Sequence, residues 1–304
     1  MGYPMAKNLR AGLSRDQTLL ICDVNASAIT RFQAETAGQG PVAVTSNGFE
    51  AAKAADVVIT MLPDSAAVKA VYLAPATGVL AGAAASPHSA KLLLECGTIE
   101  TATILAVAAA ATHTTFLDAP VSGGPMGAAA GTLTFMVGAP ALPSPAFGRA
   151  RALLAHMAAP DAVFHCGDVG AGTAFKVINN YLSAITSLAA AEALNIGVKM
   201  GLDPKLLTDV INVSGGQCWV TSKSNPVPGV QEGVPSSRGY EGGFRLELCA
   251  KVLGMGRELA AMVGARTVLD GPTAEAFAEA SADERYRGKD ARVVYKWLSE
   301  SERK

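Results

Sequence analysis

Lys176 and Asn180 are the two side chains whose types and spacing best suit acid–base chemistry in this chain. They lie four residues apart in a stretch with helical periodicity, so we expect both on one helix face. A lysine near a helix N-terminus opposes the helix dipole, and this unfavourable position invites a functional explanation. With its pKa lowered from about 10.4 by burial or nearby cations, Lys176 could exchange a proton with an alcohol while Asn180 orients it or the hydroxyl. The alternative is a solvated lysine with a capping asparagine.

The sequence Ser122-Gly123-Gly124 places a hydroxyl before two glycines. Two residues separate it from the end of the apolar segment 114–119. Backbone amides without side chains can surround a carboxylate beside such a hydroxyl, because glycine permits the close approach that an anion site needs. This motif therefore predicts a carboxylate-binding loop. A glycine-rich turn without a ligand is the alternative.

Leu62 and Pro63 stand at the end of one apolar segment, 56–62, and Thr98 follows another, 91–96. Ligands of open α/β sheets bind beyond the carboxyl ends of the strands. These positions therefore predict that the three residues line the nicotinamide half of a dinucleotide site. As isolated residues, Leu62, Pro63 and Thr98 are more often mere turn formers.

The first twelve residues, MGYPMAKNLRAG, resemble the second half of a dinucleotide-binding turn and its helix. Gly2 would be the third glycine of G-x-G-x-x-G, and Asp23, 21 residues later, has the spacing of the acid that binds the adenosine ribose. Its charge would repel a 2′-phosphate and favour NAD over NADP. A flexible Gly2 and a solvated Asp23 are the alternative. Since the first strand and the two earlier glycines are missing, we expect Met1 to be an internal methionine of a longer chain.

The elements that must position these residues follow from hydrophobic patterning. Short apolar segments alternate with helical patterns over about the first 166 residues, which predicts a parallel, doubly wound α/β sheet of the Rossmann type whose first strand is missing. The predicted strands are 18–24, 56–62, 91–96, 114–119, 133–138 and 162–166.

One continuous helical pattern then runs from Ala171 to Met200, long enough to leave the first domain and begin a second. Further helices are predicted at 203–213, 244–263 and 273–300, with a Pro- and Gly-rich loop at 222–243. We therefore predict two domains. They are an NAD-binding Rossmann domain at 1–169 and an all-helical domain for substrate binding and oligomerisation at 170–304.

Composition excludes several classes of protein. The 304 residues carry a net charge of −1 without a basic run, which argues against a nucleic-acid partner. The apolar runs fall short of the roughly 20 residues that span a membrane, so we expect a soluble protein. Five scattered cysteines and four histidines form no disulfide or metal pattern, so we predict a reducing compartment and no metal. The low charged fraction of 17% and the many alanines favour a homo-oligomer.

Taken in order, the motifs resemble those of the β-hydroxyacid dehydrogenase family over nearly the whole chain. DAPVSGG and the K-x-x-N-N segment at Lys176 are typical of the superfamily, and SGGQCW, NPVPGV and GVPSS are typical of its hydroxyisobutyrate branch. The other matching strings are MGYPMAKNL, ITMLP, LTFMVG, GTAFKVINN, GLDPKLL and YEGGF.

The resemblance implies a role for each candidate residue. It implies that Lys176 is the catalytic acid and base and that the substrate is held by Ser122, Gly123, Gly124 and Asn180. The implied cofactor contacts are Gly2, Asp23, Leu62, Pro63, Thr98, Phe244 and Lys251. The chain departs from the usual pattern at Ala67 and Val252, and Glu95-Cys96-Gly97 replaces a more usual Asp-Ser-Ser.

The implied activity is NAD-dependent oxidation of 3-hydroxyisobutyrate to methylmalonate semialdehyde in valine breakdown. Hydride passes to the nicotinamide, because side chains cannot carry it, and Lys176 takes the hydroxyl proton. The alternatives are a reductase for tartronate or succinic semialdehyde and an inactive NAD-binding protein with an incomplete glycine turn. The resemblance also implies a homodimer or homotetramer in the mitochondrial matrix, with the cytoplasm as the alternative compartment.

Overall fold

The computed structural model describes residues 1–87 and 91–301. The chain forms two compact units, Met1–Lys176 and Val177–Lys304, which we call unit 1 and unit 2. Unit 1 alternates strands with helices, whereas the regular structure described in unit 2 is helical.

Unit 1 contains a two-stranded sheet and a six-stranded sheet. Its strands are β1 (Leu19–Ile21), β2 (Val42–Val44), β3 (Val57–Thr60), β4 (Leu92–Glu95), β5 (Thr115–Asp118), β6 (Val121–Ser122), β7 (Leu133–Gly138) and β8 (Ala158–Gly167). The first two strands pair in parallel, and the larger sheet has the order β3-β4-β5-β7-β6 with β8 also on β7. The pairs β3–β4, β4–β5 and β7–β8 are parallel.

Each of the six predicted strands forms, and the alternation of strands and helices agrees with the predicted α/β fold. Strands β2 and β6, with three and two residues, were not predicted because they are too short to show a periodicity. At one edge, β7 runs antiparallel to β5 and β6, since the Gly-rich segment 123–131 reverses the chain. The sheet is therefore parallel from β3 to β5, where the candidate residues follow the strands.

The continuous apolar sequence of β4 reflects burial on both faces of the sheet. Leu92 and Leu94 pack in one core cluster and Leu93 in another, so successive side chains enter opposite layers. Parallel strands covered on both faces have this composition. The helices of unit 1 are α1 (Gly2–Gly12), α2 (Ala26–Glu35), α3 (Gly48–Ala54), α4 (Ser65–Leu73), α5 (Val79–Ala84), α6 (Thr101–Ala110), α7 (Gly124–Ala130) and α8 (Pro145–Leu154).

The predicted long helix is α9 (Ala171–Lys199), which begins in unit 1 and continues in unit 2. Within the described residues it is the one helix long and apolar enough to cross a membrane, but core helices of water-soluble proteins meet the same criterion. Ala184, Leu188 and Leu194 belong to the hydrophobic core of unit 2. This burial explains their apolar character without a membrane.

The remaining helices of unit 2 are α10 (Pro204–Asn212), α11 (Trp219–Lys223), α12 (Leu246–Met262), α13 (Asp270–Ala282) and α14 (Val294–Glu300), with short 3-10 helices at Pro235–Arg238 and Ala291–Val293. The prediction of one helix over 273–300 was wrong. The chain turns between α13 and α14, where Gly288 has φ +78° and Asp290 caps the next 3-10 helix through the backbone nitrogen of Arg292. A helical interior excludes this glycine conformation.

Candidate active site

Three of the candidate segments follow three neighbouring parallel strands. Thr60 at the end of β3 is paired with Glu95 at the end of β4, and Glu95 is paired with Asp118 at the end of β5. Leu62 and Pro63 therefore lie beside Gly97 and Thr98 at one edge of the sheet, as the sequence predicted from strand order.

The Ser122-Gly123-Gly124 loop comes shortly after the same edge. Ser122 is half-buried in β6, and both glycines are exposed. Gly123 has φ +127° and Gly124 has φ +62°, conformations that residues with a Cβ rarely adopt. The glycines thus permit a backbone turn that leaves their N–H groups without covering side chains, which is what a carboxylate-binding loop requires.

Asp118 ties the start of α9 to the end of β5. Its two carboxylate oxygens accept hydrogen bonds from the backbone nitrogens of Gly170 at 2.7 Å and Thr173 at 2.6 Å. The helix also lies against the sheet so closely that a Cβ on Gly172 would be 2.2 Å from the carbonyl oxygen of Met136. The first turn of α9 is therefore fixed to unit 1, and Lys176 lies in the next turn.

Lys176 is buried, with 7% of its surface exposed. Burial lowers the pKa of its amine from the usual 10.5 to about 8, because an apolar environment disfavours the charged form. An amine with this pKa exists in both protonation states near neutral pH, so it is suited to accept and return a proton.

Asn180 lies one turn further along α9 and is half-buried. Helical spacing places it on the same face of α9 as Lys176. The Nδ2 of the neighbouring Asn179 donates to the Asn180 side-chain oxygen at 3.3 Å. This contact directs the Asn180 oxygen towards Asn179.

At the other end of unit 1, Gly2 is the first residue of α1, and Asp23 is exposed just beyond β1. The Asp23 carboxylate accepts a hydrogen bond from the backbone nitrogen of Asn25 at 2.8 Å, which fixes the turn into α2. Asp23 is thus both exposed and oriented at a strand end, as expected for an acid that binds ribose hydroxyls.

Phe244 and Lys251, the remaining candidates, belong to unit 2. The backbone nitrogen of Phe244 donates to Asp290 Oδ2 at 2.8 Å, and its side chain packs against the core of the unit. Lys251 is half-buried on α12, which begins two residues after Phe244. A Cβ on Gly243 would be 2.2 Å from Asp290 Oδ2. Residue 243, which precedes Phe244, must therefore be glycine for the chain to pass this close to Asp290.

Two residues with structural importance at the site, Glu95 and Asp118, were not among the predicted site residues. Both end an apolar strand and both have fully buried side chains. Their position was a detectable signal, because a buried strand that ends in an acid needs hydrogen-bond donors for it. The identity of those donors depends on residues far away in the sequence.

The residues at the strand ends fit a dinucleotide. A Cβ on Gly97 would be 2.6 Å from the carbonyl oxygen of Leu62, so the loops after β3 and β4 meet backbone to backbone and leave no side chain at this point. Glycine at this position lets the two loops that carry the proposed cofactor contacts lie next to each other. This edge is therefore compatible with the nicotinamide half of the cofactor.

Comparisons with known proteins identify relatives over nearly the whole chain. Residues 1–170 match the family described as the NAD binding domain of 6-phosphogluconate dehydrogenase, and residues 170–298 match the NAD-binding domain of NADP-dependent 3-hydroxyisobutyrate dehydrogenase. The human mitochondrial 3-hydroxyisobutyrate dehydrogenase is 40% identical over 99% of this chain and 85% of its own length. The chain belongs to the 3-hydroxyisobutyrate dehydrogenase family. It is therefore related to NAD-dependent hydroxyacid dehydrogenases, and the predicted family and nicotinamide cofactor are confirmed.

Other members of the family show both its structural unity and its range of substrates. The structure of the Mycobacterium tuberculosis 3-hydroxyisobutyrate dehydrogenase with L-serine has a TM-score of 0.84 to this chain and 36% sequence identity. The match covers 98% of this chain and 95% of that one. This similarity confirms the predicted Rossmann and helical architecture. An NAD-dependent L-serine dehydrogenase from Pseudomonas aeruginosa is 40% identical over 97% of this chain and 94% of its own length. The family therefore includes at least two named activities.

Proposed function

We propose that this protein oxidises 3-hydroxyisobutyrate to methylmalonate semialdehyde with NAD, as a step of valine breakdown. The observation that carries the proposal is the buried Lys176, whose pKa of about 8 suits proton transfer from an alcohol. The 40% sequence identity to the human mitochondrial 3-hydroxyisobutyrate dehydrogenase supports this substrate.

In this proposal each side chain has one task. NAD, when bound, supplies the acceptor for the hydride. Lys176 takes the hydroxyl proton, and Asn180 orients the alcohol. Ser122 and the backbone N–H groups of Gly123 and Gly124 hold the carboxylate. Anchoring the acid fixes which carbon is presented for hydride transfer and discriminates against alcohols without a carboxylate.

The proposed cofactor contacts are Gly2, Asp23, Leu62, Pro63, Thr98, Phe244 and Lys251. Asp23 favours NAD over NADP in this assignment, because its carboxylate repels a 2′-phosphate.

L-Serine is the second candidate substrate, favoured by the 40% identity to the serine dehydrogenase. Serine and 3-hydroxyisobutyrate share a carboxylate and a hydroxymethyl group, so the same base and the same carboxylate loop serve either. On the carbon between these two groups, serine carries an ammonium group and 3-hydroxyisobutyrate carries a methyl group. The reduction of tartronate or succinic semialdehyde remains a further alternative with the same residues.

The test is the rate of NADH formation, followed by absorbance, with 3-hydroxyisobutyrate and with L-serine. We expect kcat/KM to be at least about tenfold higher for 3-hydroxyisobutyrate, since a site that accepts its methyl group would have to desolvate the ammonium group of serine. A higher kcat/KM for L-serine would reverse the assignment. If NADH binds but neither these alcohols nor the two semialdehydes turn over, the protein is a non-catalytic NAD-binding member of the family.

We also propose that the protein is a homo-oligomer assembled through unit 2. Large apolar side chains of α9 and α10 are exposed there, namely Ile178, Leu182, Ile196, Leu206 and Val210. Exposed apolar groups on this scale mark interaction surfaces. For the compartment we propose the mitochondrial matrix, supported by the mitochondrial name of the human relative, while the bacterial relatives support the cytoplasm as the alternative.

A further inference from the structure

Glu95 joins two loops of the candidate cofactor site through one carboxylate. It is the last residue of β4 and is fully buried. One oxygen accepts a hydrogen bond from the backbone nitrogen of Gly97 at 2.7 Å, and the other accepts one from the Thr60 hydroxyl. The backbone N–H of Leu62 also hydrogen-bonds to this carboxylate. The loop after β3 and the loop after β4 are thus held by the same group.

The two loops also touch directly at this point. A Cβ on Gly97 would lie 2.6 Å from the carbonyl oxygen of Leu62 and 2.7 Å from Glu95 Oε1. Such distances exclude any side chain at position 97 without movement of the backbone. Leu62 and the Gly97 that precedes Thr98 are therefore bound by the same carboxylate.

We propose that Glu95 is a positioning residue that holds the Leu62–Pro63 and Gly97–Thr98 segments in the arrangement that binds the nicotinamide half of NAD. It acts through the backbone of Leu62 and Gly97, below the surface that faces the cofactor. The inference relies on the proposed cofactor contacts and deepens them, because it assigns their geometry to a buried acid.

The protonation of this acid changes near neutral pH. Burial raises the pKa of Glu95 to about 7, although the hydrogen bonds from Thr60, Gly97 and Leu62 lower it. An ionised carboxylate accepts at both oxygens, whereas a protonated one has an O–H that must donate and so loses an acceptor site. We therefore expect the loops to be held best by the ionised form and NADH to bind more weakly as the pH falls below about 7.

Two ionisable groups beside Glu95, those of Tyr72 and Cys96, do not change charge in this range. Burial raises the pKa values of Tyr72 on α4, which hydrogen-bonds Thr60, and of Cys96, which follows Glu95, well above their ordinary values. Asp118, the neighbour on β5, has its carboxylate bonded to the nitrogens of Gly170 and Thr173. Burial also raises the pKa of Asp118. The Glu95 variants therefore decide which acid controls binding.

The test compares the wild type with Glu95→Gln, which keeps the shape of the side chain and cannot ionise. The dissociation constant of NADH, without substrate, is measured by fluorescence between about pH 5 and about pH 9. We expect the wild-type affinity to rise severalfold as the pH passes about 7 and the variant to keep the weak, low-pH affinity throughout. An unchanged affinity and pH profile in Glu95→Gln overturns the proposal.

A ligand-free measurement provides a second readout. Because the folded protein holds the Glu95 proton to higher pH than the unfolded chain, this residue makes stability fall as the pH rises from about 4.5 to about 7. Over this pH range, we expect ionisation of Glu95 to lower the thermal unfolding midpoint of the ligand-free wild type. The midpoint of Glu95→Gln should lack this contribution. Equal slopes in the two proteins would show that Glu95 does not titrate here and would overturn the pH argument.

Two further variants separate this inference from the proposed site itself. Thr60→Val removes one donor to the carboxylate, so it is expected to move the midpoint of the NADH profile to higher pH. Thr98→Ala leaves the Glu95 hydrogen bonds intact and is expected to weaken NADH binding without moving that midpoint. If Thr98→Ala binds normally, the proposed cofactor contact is wrong, and the inference falls with it. If Thr98→Ala weakens binding while Thr60→Val and Glu95→Gln do nothing, only the role of Glu95 is refuted.

Discussion

Asp118 Oδ2 lies 2.6 Å from the backbone nitrogen of Thr173, three residues before the proposed catalytic Lys176. The other carboxylate oxygen accepts from Gly170, so one acid caps the first turn of α9. Space for it exists because a Cβ on Gly138, the paired residue on β7, would lie 2.1 Å from Asp118 Oδ1. The carboxylate therefore sets the position of the helix that carries Lys176 relative to the strand that leads to the Ser122 loop.

Asp118→Asn tests this link. The amide keeps one acceptor oxygen but presents an N–H₂ group to the second backbone N–H, which leaves a buried donor unpaired. We expect a loss of about 1–3 kcal/mol in the free energy of unfolding, measured in urea, and a lower kcat as Lys176 is displaced. The exposed Asp209, paired with Lys205 on α10, provides the control, and Asp209→Asn should change stability by less than about 1 kcal/mol. Full kcat in Asp118→Asn would show that the cap does not position Lys176.

The sequence was sufficient to predict six of the eight described strands and α9, because those depend on local periodicity. It was not sufficient for Asp118 and Glu95. An acid that ends an apolar strand signals burial, but the groups that bind it cannot be identified from the sequence, because the donors to Asp118 are about 50 residues away. The break between α13 and α14 was missed for a similar reason, since Asp290 is held by Phe244 in a distant segment.

Lys176→Met separates catalysis from stability. The variant removes a buried amine whose charged form is disfavoured, while it keeps an apolar chain of similar length. We expect kcat to fall by about 10²–10⁴-fold, and stability at neutral pH to be unchanged or higher. Lys199→Met, at the exposed end of the same helix, is the matched control and should retain activity. A parallel loss of NADH affinity and kcat would indicate a structural role instead.

The pH dependence of the wild type follows from the same residue. Oxidation needs the neutral amine, so kcat/KM should rise with pH and level off above about 8, where Lys176 loses its proton. Because the folded pKa is lower than the unfolded one, Lys176 also makes the free energy of unfolding rise between about pH 8 and about pH 10.5. Denaturant titrations across that window should show this rise in the wild type and lose it in Lys176→Met. A kcat/KM that falls over the same window would contradict the assignment of Lys176 as the base.

Gly124→Ala tests the carboxylate loop, and Gly38→Ala is its control. The two glycines have similar positive φ angles, +62° and +81°, and a Cβ would meet no atom within 4 Å at either. Both substitutions should therefore cost about 1 kcal/mol of stability through backbone strain. Only Gly124→Ala should raise KM for the hydroxyacid, by about tenfold or more, because its methyl group would occupy space beside the backbone N–H that is proposed to bind the carboxylate. Equal KM values in the two variants would remove Gly124 from the substrate site.

Leu182→Asp tests the proposed oligomer interface on unit 2. Leu182 is 60% exposed in the single chain, so the substitution itself leaves the core of the unit intact. In an oligomer the same position would bury an unpaired carboxylate, at a cost of several kcal/mol, and the assembly should dissociate. Light scattering after size exclusion measures the mass, and circular dichroism checks the fold. Leu142→Asp, at a similarly exposed leucine in unit 1, should leave the mass unchanged. If both variants keep the wild-type mass, the exposed side chains of α9 do not form the interface.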